Sequence, residues 1–110
     1  MHFALYTLAI AATAWANCSN PSAPPDTGDI ALYADDNCSG GYLNVGAFNT
    51  CQSWMDFDAC SAITRPGVTC DIFTTQGCND EFVVTVDSTG YRSFCGLISD
   101  HIRSVQCFSA

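Results

Sequence analysis

The chain contains no lysine; Arg65, Arg92 and Arg103 are its only fixed side-chain cations, against eleven Asp and Glu residues. The net charge of −8 excludes nucleic acid and anionic membrane surfaces as partners, because both would repel the chain. It also lacks an apolar run long enough to cross a bilayer, which takes about 20 residues; the longest is Phe3 to Trp15. No segment repeats apolar residues at helical spacing over three turns, so helix content should be low. Finally, there is no CxxC pair, and His101 is the only histidine besides His2. A zinc site built on the usual ligand spacings is thereby excluded.

The apolar run is followed by Ala14-Trp15-Ala16, the small-x-small pattern of a signal peptidase site. Residues 1–16 read as a cleaved secretory signal, and no comparable run follows, so the expected product is soluble and extracellular. Removing 16 of 110 residues leaves 94, enough for a single domain that is marginal on hydrophobic burial alone. All eight cysteines, Cys18, Cys38, Cys51, Cys60, Cys70, Cys78, Cys95 and Cys107, lie in that mature part. An even number in a small secreted chain reads as four disulfides, drawn from 105 possible pairings. The sequons Asn17-Cys18-Ser19 and Asn37-Cys38-Ser39 mark Asn17 and Asn37 as candidate glycosylation sites.

The mature chain says one thing twice. Leu32-Tyr33, with Cys38 five residues after the tyrosine, returns forty residues later as Ile72-Phe73 with Cys78. Residues 17–28 are turn formers and read as an extended arm tied down by Cys18. Repeat one, 29–67, offers strands at Ile30–Tyr33, Gly40–Val45, within 47–57, and at Cys60–Ile63. Repeat two, 68–108, offers Thr69–Phe73, Glu81–Val86, Tyr91–Leu97 and Ile102–Cys107. The repeat endings align at an offset of 42, Asp58–Ile63 with Asp100–Val105, and Cys51 corresponds to Cys95. A four-stranded unit of this size cannot bury an apolar face alone. Two of them packed together can, as a sandwich of two sheets.

Tyr33, four residues, Cys38, Ser39 and Gly40 resemble the first-hairpin signature of the βγ-crystallin Greek key, with Cys38 in place of its second aromatic. Phe73 to Asp80 resembles it with Asp80 at the glycine position. The family's late serine is matched by Ser104-Val105 and not by Ala62-Ile63. The resemblance covers residues 29–108 and implies an all-β fold of two Greek-key repeats in one sandwich, here stapled by four disulfides. It also implies that the first and last strands of a unit are neighbours, which suggests Cys70–Cys107. Preserving the symmetry of the repeats suggests Cys38–Cys51 and Cys78–Cys95, leaving Cys18–Cys60 to fasten the arm. Yeast killer toxins, an actinomycete metalloproteinase inhibitor and fungal secreted proteins share this architecture.

The family's best-known chemistry is calcium binding through clustered oxygen ligands. Repeat one retains Asp58 and Ser61 for such a site. Repeat two, Ser99 to Ser104, sets Arg103 where an oxygen is needed. Asp58 and Ser61 are therefore candidates for one weak calcium site, and no other cofactor is expected. Ser99, Asp100 and His101 form a triad only as letters, because neighbouring residues point different ways. Asp35, Asp36, Asp80 and Glu81 read as solvated turn acids rather than a glycosidase pair. The expected function is an extracellular interaction protein without enzymatic activity, of effector, killer-toxin or inhibitor type. Its expected partner is a protein or cell-wall component of a host or competitor, met by a monomer without membrane insertion. The alternatives are a calcium-linked structural or stress protein of wall or matrix, and a small secreted hydrolase.

Overall fold

The computed structural model describes residues 17–19, 28–79, 82–97 and 101–110. The putting-together begins with a hairpin. Strands β1 (Ile30–Asp35) and β2 (Ser39–Val45) pair antiparallel, with Tyr33 opposite Tyr42 and Ile30 opposite Val45. Asn37 and Cys38 turn the chain in left-handed conformations, and Gly40 follows at φ 85°. A Cβ on Gly40 would fall 2.5 Å from the Asp35 carboxylate, so this corner demands glycine.

After β3 (Cys51–Ser53), strand β4 (Ser61–Thr64) returns to the free side of β1, with Ser61 opposite Tyr33. The second repeat does the same with β5 (Val68–Phe73), a 3₁₀ turn at Gln76–Cys78, β6 (Val84–Val86) and β7 (Ser104–Ser109). Phe73 lies opposite Ser104 and Cys70 opposite Cys107. The sheets run β2-β1-β4 and β3-β7-β5-β6. β3 thus belongs to the first repeat by sequence but pairs with β7 of the second. Reciprocally, Tyr91 of the second repeat bridges Ala62 of β4.

The inner faces meet in one core containing Ile30, Leu32, Ala62, Ile72, Val86, Phe94, Ile102 and Val105. Each large aliphatic or aromatic member contributes about 1.5–3 kcal/mol relative to exposure. The alternate residues of β1 and β4, Ala31, Tyr33 and Ile63, form a second cluster with Cys38, against which Cys18 packs. The arm is held there by Cys18 N–H to Thr89 O and Ser19 N–H to Asn37 Oδ1, at 3.2 and 2.8 Å.

Three sequence expectations change. Tyr91–Leu97 is no strand: only Tyr91 pairs, and the chain then bends so that Tyr91 and Phe94 stack at 5.3 Å. Residues three apart cannot share a face of a straight strand. The strand expected over Glu81–Val86 is confined among the described residues to Val84–Val86, and Asp80 and Glu81 lie outside them.

The third change is connectivity. Cys70–Cys107 forms as expected, between paired strands, but the other bridges are Cys18–Cys38, Cys51–Cys78 and Cys60–Cys95. Pairing within each unit, Cys38–Cys51 and Cys78–Cys95, fails because the third segment of each repeat crosses to the other sheet. That crossing carries Cys51 to the second hairpin and Cys95 to β4. Cys60 is consequently taken by Cys95, and the arm cysteine Cys18 meets Cys38 instead.

Candidate functional site

The two hairpins are closed by the same device. Ser61 Oγ accepts the Cys38 N–H at 2.8 Å and donates to Asp35 O at 2.5 Å. Ser104 Oγ accepts the Cys78 N–H at 3.1 Å and donates to Thr75 O at 2.5 Å. Cys38 and Cys78 share a φ of 52°. Ser61 and Ser104 are therefore structural equivalents, so the repeat endings correspond at an offset of 43 rather than 42. The serine that repeat one was expected to lack is Ser61, one position earlier than the sequence alignment placed it.

This placement bears on the calcium candidates. Ser61 is completely buried, with its hydroxyl committed to the hairpin. Asp58 is exposed, and its Oδ1 lies 3.1 Å from Arg103 Nη2 and 3.5 Å from His101 Nδ1. Arg103 also donates through Nη1 to Phe57 O and Ile102 O. The guanidinium thus holds the loop before β4 and occupies the carboxylate a cation would need. Asp58 and Ser61 are thus each held by other groups, the carboxylate by Arg103 and His101 and the hydroxyl by the first hairpin. Among the described residues no three His, Cys, Asp or Glu side chains cluster in a metal-binding arrangement.

The remaining candidates disperse. Ser99 and Asp100 lie outside the described residues, so the letters around His101 gain no geometry. Asp35 and Asp36 stand at the exposed tip of the first hairpin. Asn37 spans the arm: its Oδ1 accepts from Ser19 N–H and its Nδ2 donates to Ser19 Oγ at 2.9 Å. Asn17 Oδ1 accepts from Thr89 Oγ1 at 3.0 Å.

One polar centre escaped the sequence reading. Asp29 is buried, yet its carboxylate takes Arg65 Nε at 2.8 Å, Ala47 N–H at 2.9 Å and Phe48 N–H at 3.1 Å. Burial pushes its pKa up, but the Arg65 bond and the two amides outweigh this and hold it below the usual carboxylate value. Arg65 also lies over the Phe48 ring, 5.8 Å from its centroid. The only advance signal was a lone Asp before β1 and a lone Arg after β4, 36 residues apart.

No family model matches the chain, and no curated protein matches it significantly. A solved structure described as "Evolution of the eye lens beta-gamma-crystallin domain fold" is similar, with a TM-score of 0.62 and 18% identity. The match covers 83% of this chain and 95% of that one. The fold is that of a βγ-crystallin domain. At this identity the likeness speaks to architecture alone, and the βγ-crystallin fold carries no single activity. Two hairpins closed by equivalent serines, with third segments exchanged between sheets, give the two repeats of this chain one common plan. The disulfides of the arm and of Cys60–Cys95 depart from its two-fold symmetry.

Proposed function

We propose that the protein is a secreted interaction protein that works without catalysis, of the effector, toxin or inhibitor kind. Its partner is a protein or cell-wall component of a host or competitor. The observation that carries this reading is the cross-linking. Four bridges tie segments 20 to 37 residues apart, and they fasten the arm, both hairpins and both exchanged segments. Disulfide density of this kind belongs to small domains that persist in oxidising surroundings. The apolar leader before Asn17 supports export, and the acidic, lysine-free surface supports life as a free solute. Among the described residues no helix is long and apolar enough to cross a membrane.

The test is capture from extracts of candidate host or competitor cells on immobilised oxidised protein, beside a reduced and alkylated control. Retention of one component by the oxidised form alone is the expected result. Finding the chain inside the producing cell with free thiols overturns the reading. So does a hydrolytic activity that copurifies with the intact protein.

A further inference from the structure

Between β3 and β4 the chain makes an outward loop with Met55 at its tip. Met55 is 70% exposed, the most of any large apolar side chain among the described residues. Asp56 beside it is exposed as well, whereas Trp54 and Phe57 on either side pack against the core. One exposed methionine by itself means little, because single apolar residues are common on surfaces. The hold on both sides of it is what carries meaning.

That hold comes largely from one residue. Arg103 stands just before β7, between the buried Ile102 and Ser104, and its own N–H donates to Phe73 O at 2.8 Å. On the amino side of the tip, Trp54 N–H donates to Arg103 O at 3.0 Å. On the carboxyl side, the Arg103 guanidinium donates to Phe57 O at 3.3 Å and to Asp58 Oδ1 at 3.1 Å. The Trp54 indole N–H closes the base of the loop, reaching Phe57 O at 3.0 Å. Cys51 and Cys60 bracket Met55 and Asp56 at four residues on each side, and are bridged to Cys78 and Cys95 of the second repeat. The Met55–Asp56 peptide bond is thus displayed at the surface with each flank fastened separately to the body.

We propose that this loop enters the cleft of an extracellular serine endopeptidase and inhibits it, with Met55 in a primary pocket that takes apolar side chains. This rests on the inhibitor form of the function proposed above and names its partner. An apolar pocket of that kind sets the specificity of one class of these enzymes. An unbranched thioether side chain adapts to such a pocket. A loop held in one shape loses little freedom on docking, which favours tight binding. The same hold separates an inhibitor from a substrate. Hydrolysis adds water across the Met55–Asp56 bond, leaving a carboxylate on Met55 and an ammonium on Asp56. In a free loop the two new ends would part and leave the cleft. Here Trp54 and Phe57 remain anchored on Arg103 and the core, so the ends stay and the cleft stays blocked.

Titration of chymotrypsin and subtilisin with the intact oxidised protein tests the proposal, with trypsin, whose pocket is acidic, alongside. Competitive inhibition of one or both apolar-specific enzymes, with trypsin unaffected, is the expected result. Met55→Lys alters only the exposed tip, so the melting temperature should hold. It should weaken that inhibition about thirtyfold or more and create inhibition of trypsin. Phe82→Lys makes the same change at another exposed apolar position and should alter neither. Arg103→Lys keeps the charge but loses the fork that grips both Phe57 O and Asp58. It should be hydrolysed after Met55 about tenfold faster than the parent protein, whereas general loosening would open many bonds at once. Inhibition of neither apolar-specific enzyme at micromolar protein overturns the proposal, and so does inhibition that survives Met55→Lys. Capture of some other component would still uphold the wider interaction reading, while free thiols inside the producing cell would remove both. First cleavage of the Arg103 variant at another bond overturns the hold assigned to that residue.

Discussion

Asp29 and the two hairpin serines show how much of this small domain rests on single polar groups. The Asp29 carboxylate gathers Arg65 and the amides of Ala47 and Phe48, which orients the link between β2 and β3. Its folded pKa is depressed. Its stabilisation is therefore fully present above the unfolded carboxyl pKa near 3.8 and is lost as pH falls through the folded value. Asp29→Asn should cost about 1.5–3 kcal/mol at pH 7, the range for hydrogen bonds to a charged group. In urea titrations the gap between variant and wild type should close toward pH 3 and below. A pH-independent gap would mean that shape rather than charge matters at this position. Ser61→Ala and Ser104→Ala leave the Cys38 and Cys78 amides without their acceptors. Each should cost about 1–3 kcal/mol, with Ser61 the larger because Cys38 is completely buried and Cys78 only half-buried. Equal urea midpoints for the two variants would count against burial as the deciding factor. Arg103 fixes the expectation for calcium. With Asp58 already paired, millimolar calcium should move the melting midpoint by no more than about 1–2 °C. A ligand at 100 times its dissociation constant would add ~2.7 kcal/mol and shift it much further.

At the scale of strands, the exchange of third segments is the feature with most consequence. β3 finds its partner β7 in the second repeat, and β4 finds Tyr91 there. Cys51–Cys78 and Cys60–Cys95 then lock both crossings. Repeat one, residues 29–67, has no partner for β3 and none for the outer side of β4 when expressed alone. The isolated fragment should be unfolded by circular dichroism and proton NMR, although its sequence encodes a complete set of strands. A fragment that melts cooperatively would show that the exchange is dispensable.

For the whole molecule, size and charge both work against stability, and covalent bonds compensate. A domain below one hundred residues buries a modest share of its surface, and self-repulsion at −8 subtracts further. Four disulfides at about 2–4 kcal/mol each sum to roughly 8–16 kcal/mol, as much as the ~5–15 kcal/mol total of a typical domain. Full reduction without denaturant should therefore unfold the protein at 25 °C, monitored by loss of near-ultraviolet dichroism. A reduced form that keeps its native spectrum would assign the stability to the core instead.

Local chemistry was legible in advance wherever short-range rules decide. The apolar run Ile30–Tyr33, the turn at Asp36–Asn37 and the β-branched run ending at Val86 follow from neighbours in sequence, and the pairing of Cys70 with Cys107 from the resemblance to the βγ-crystallin Greek key. The aromatic and cysteine spacing around Tyr33 and Phe73 was enough to suggest the two-repeat sandwich. What remained hidden depends on residues far apart meeting. An offset of 42 or 43 fits the letters about equally well, and only the strand registers place Ser61 opposite Tyr33 as Ser104 is opposite Phe73. The bond between Asp29 and Arg65 has no periodic signature. Three of the four disulfides turn on which sheet the third segment of each repeat joins. A repeat in sequence says that two units are alike, but it is silent on whether they pack side by side or exchange strands. That choice belongs to the tertiary structure, because the same alternating pattern satisfies either sheet and only the shared core distinguishes them.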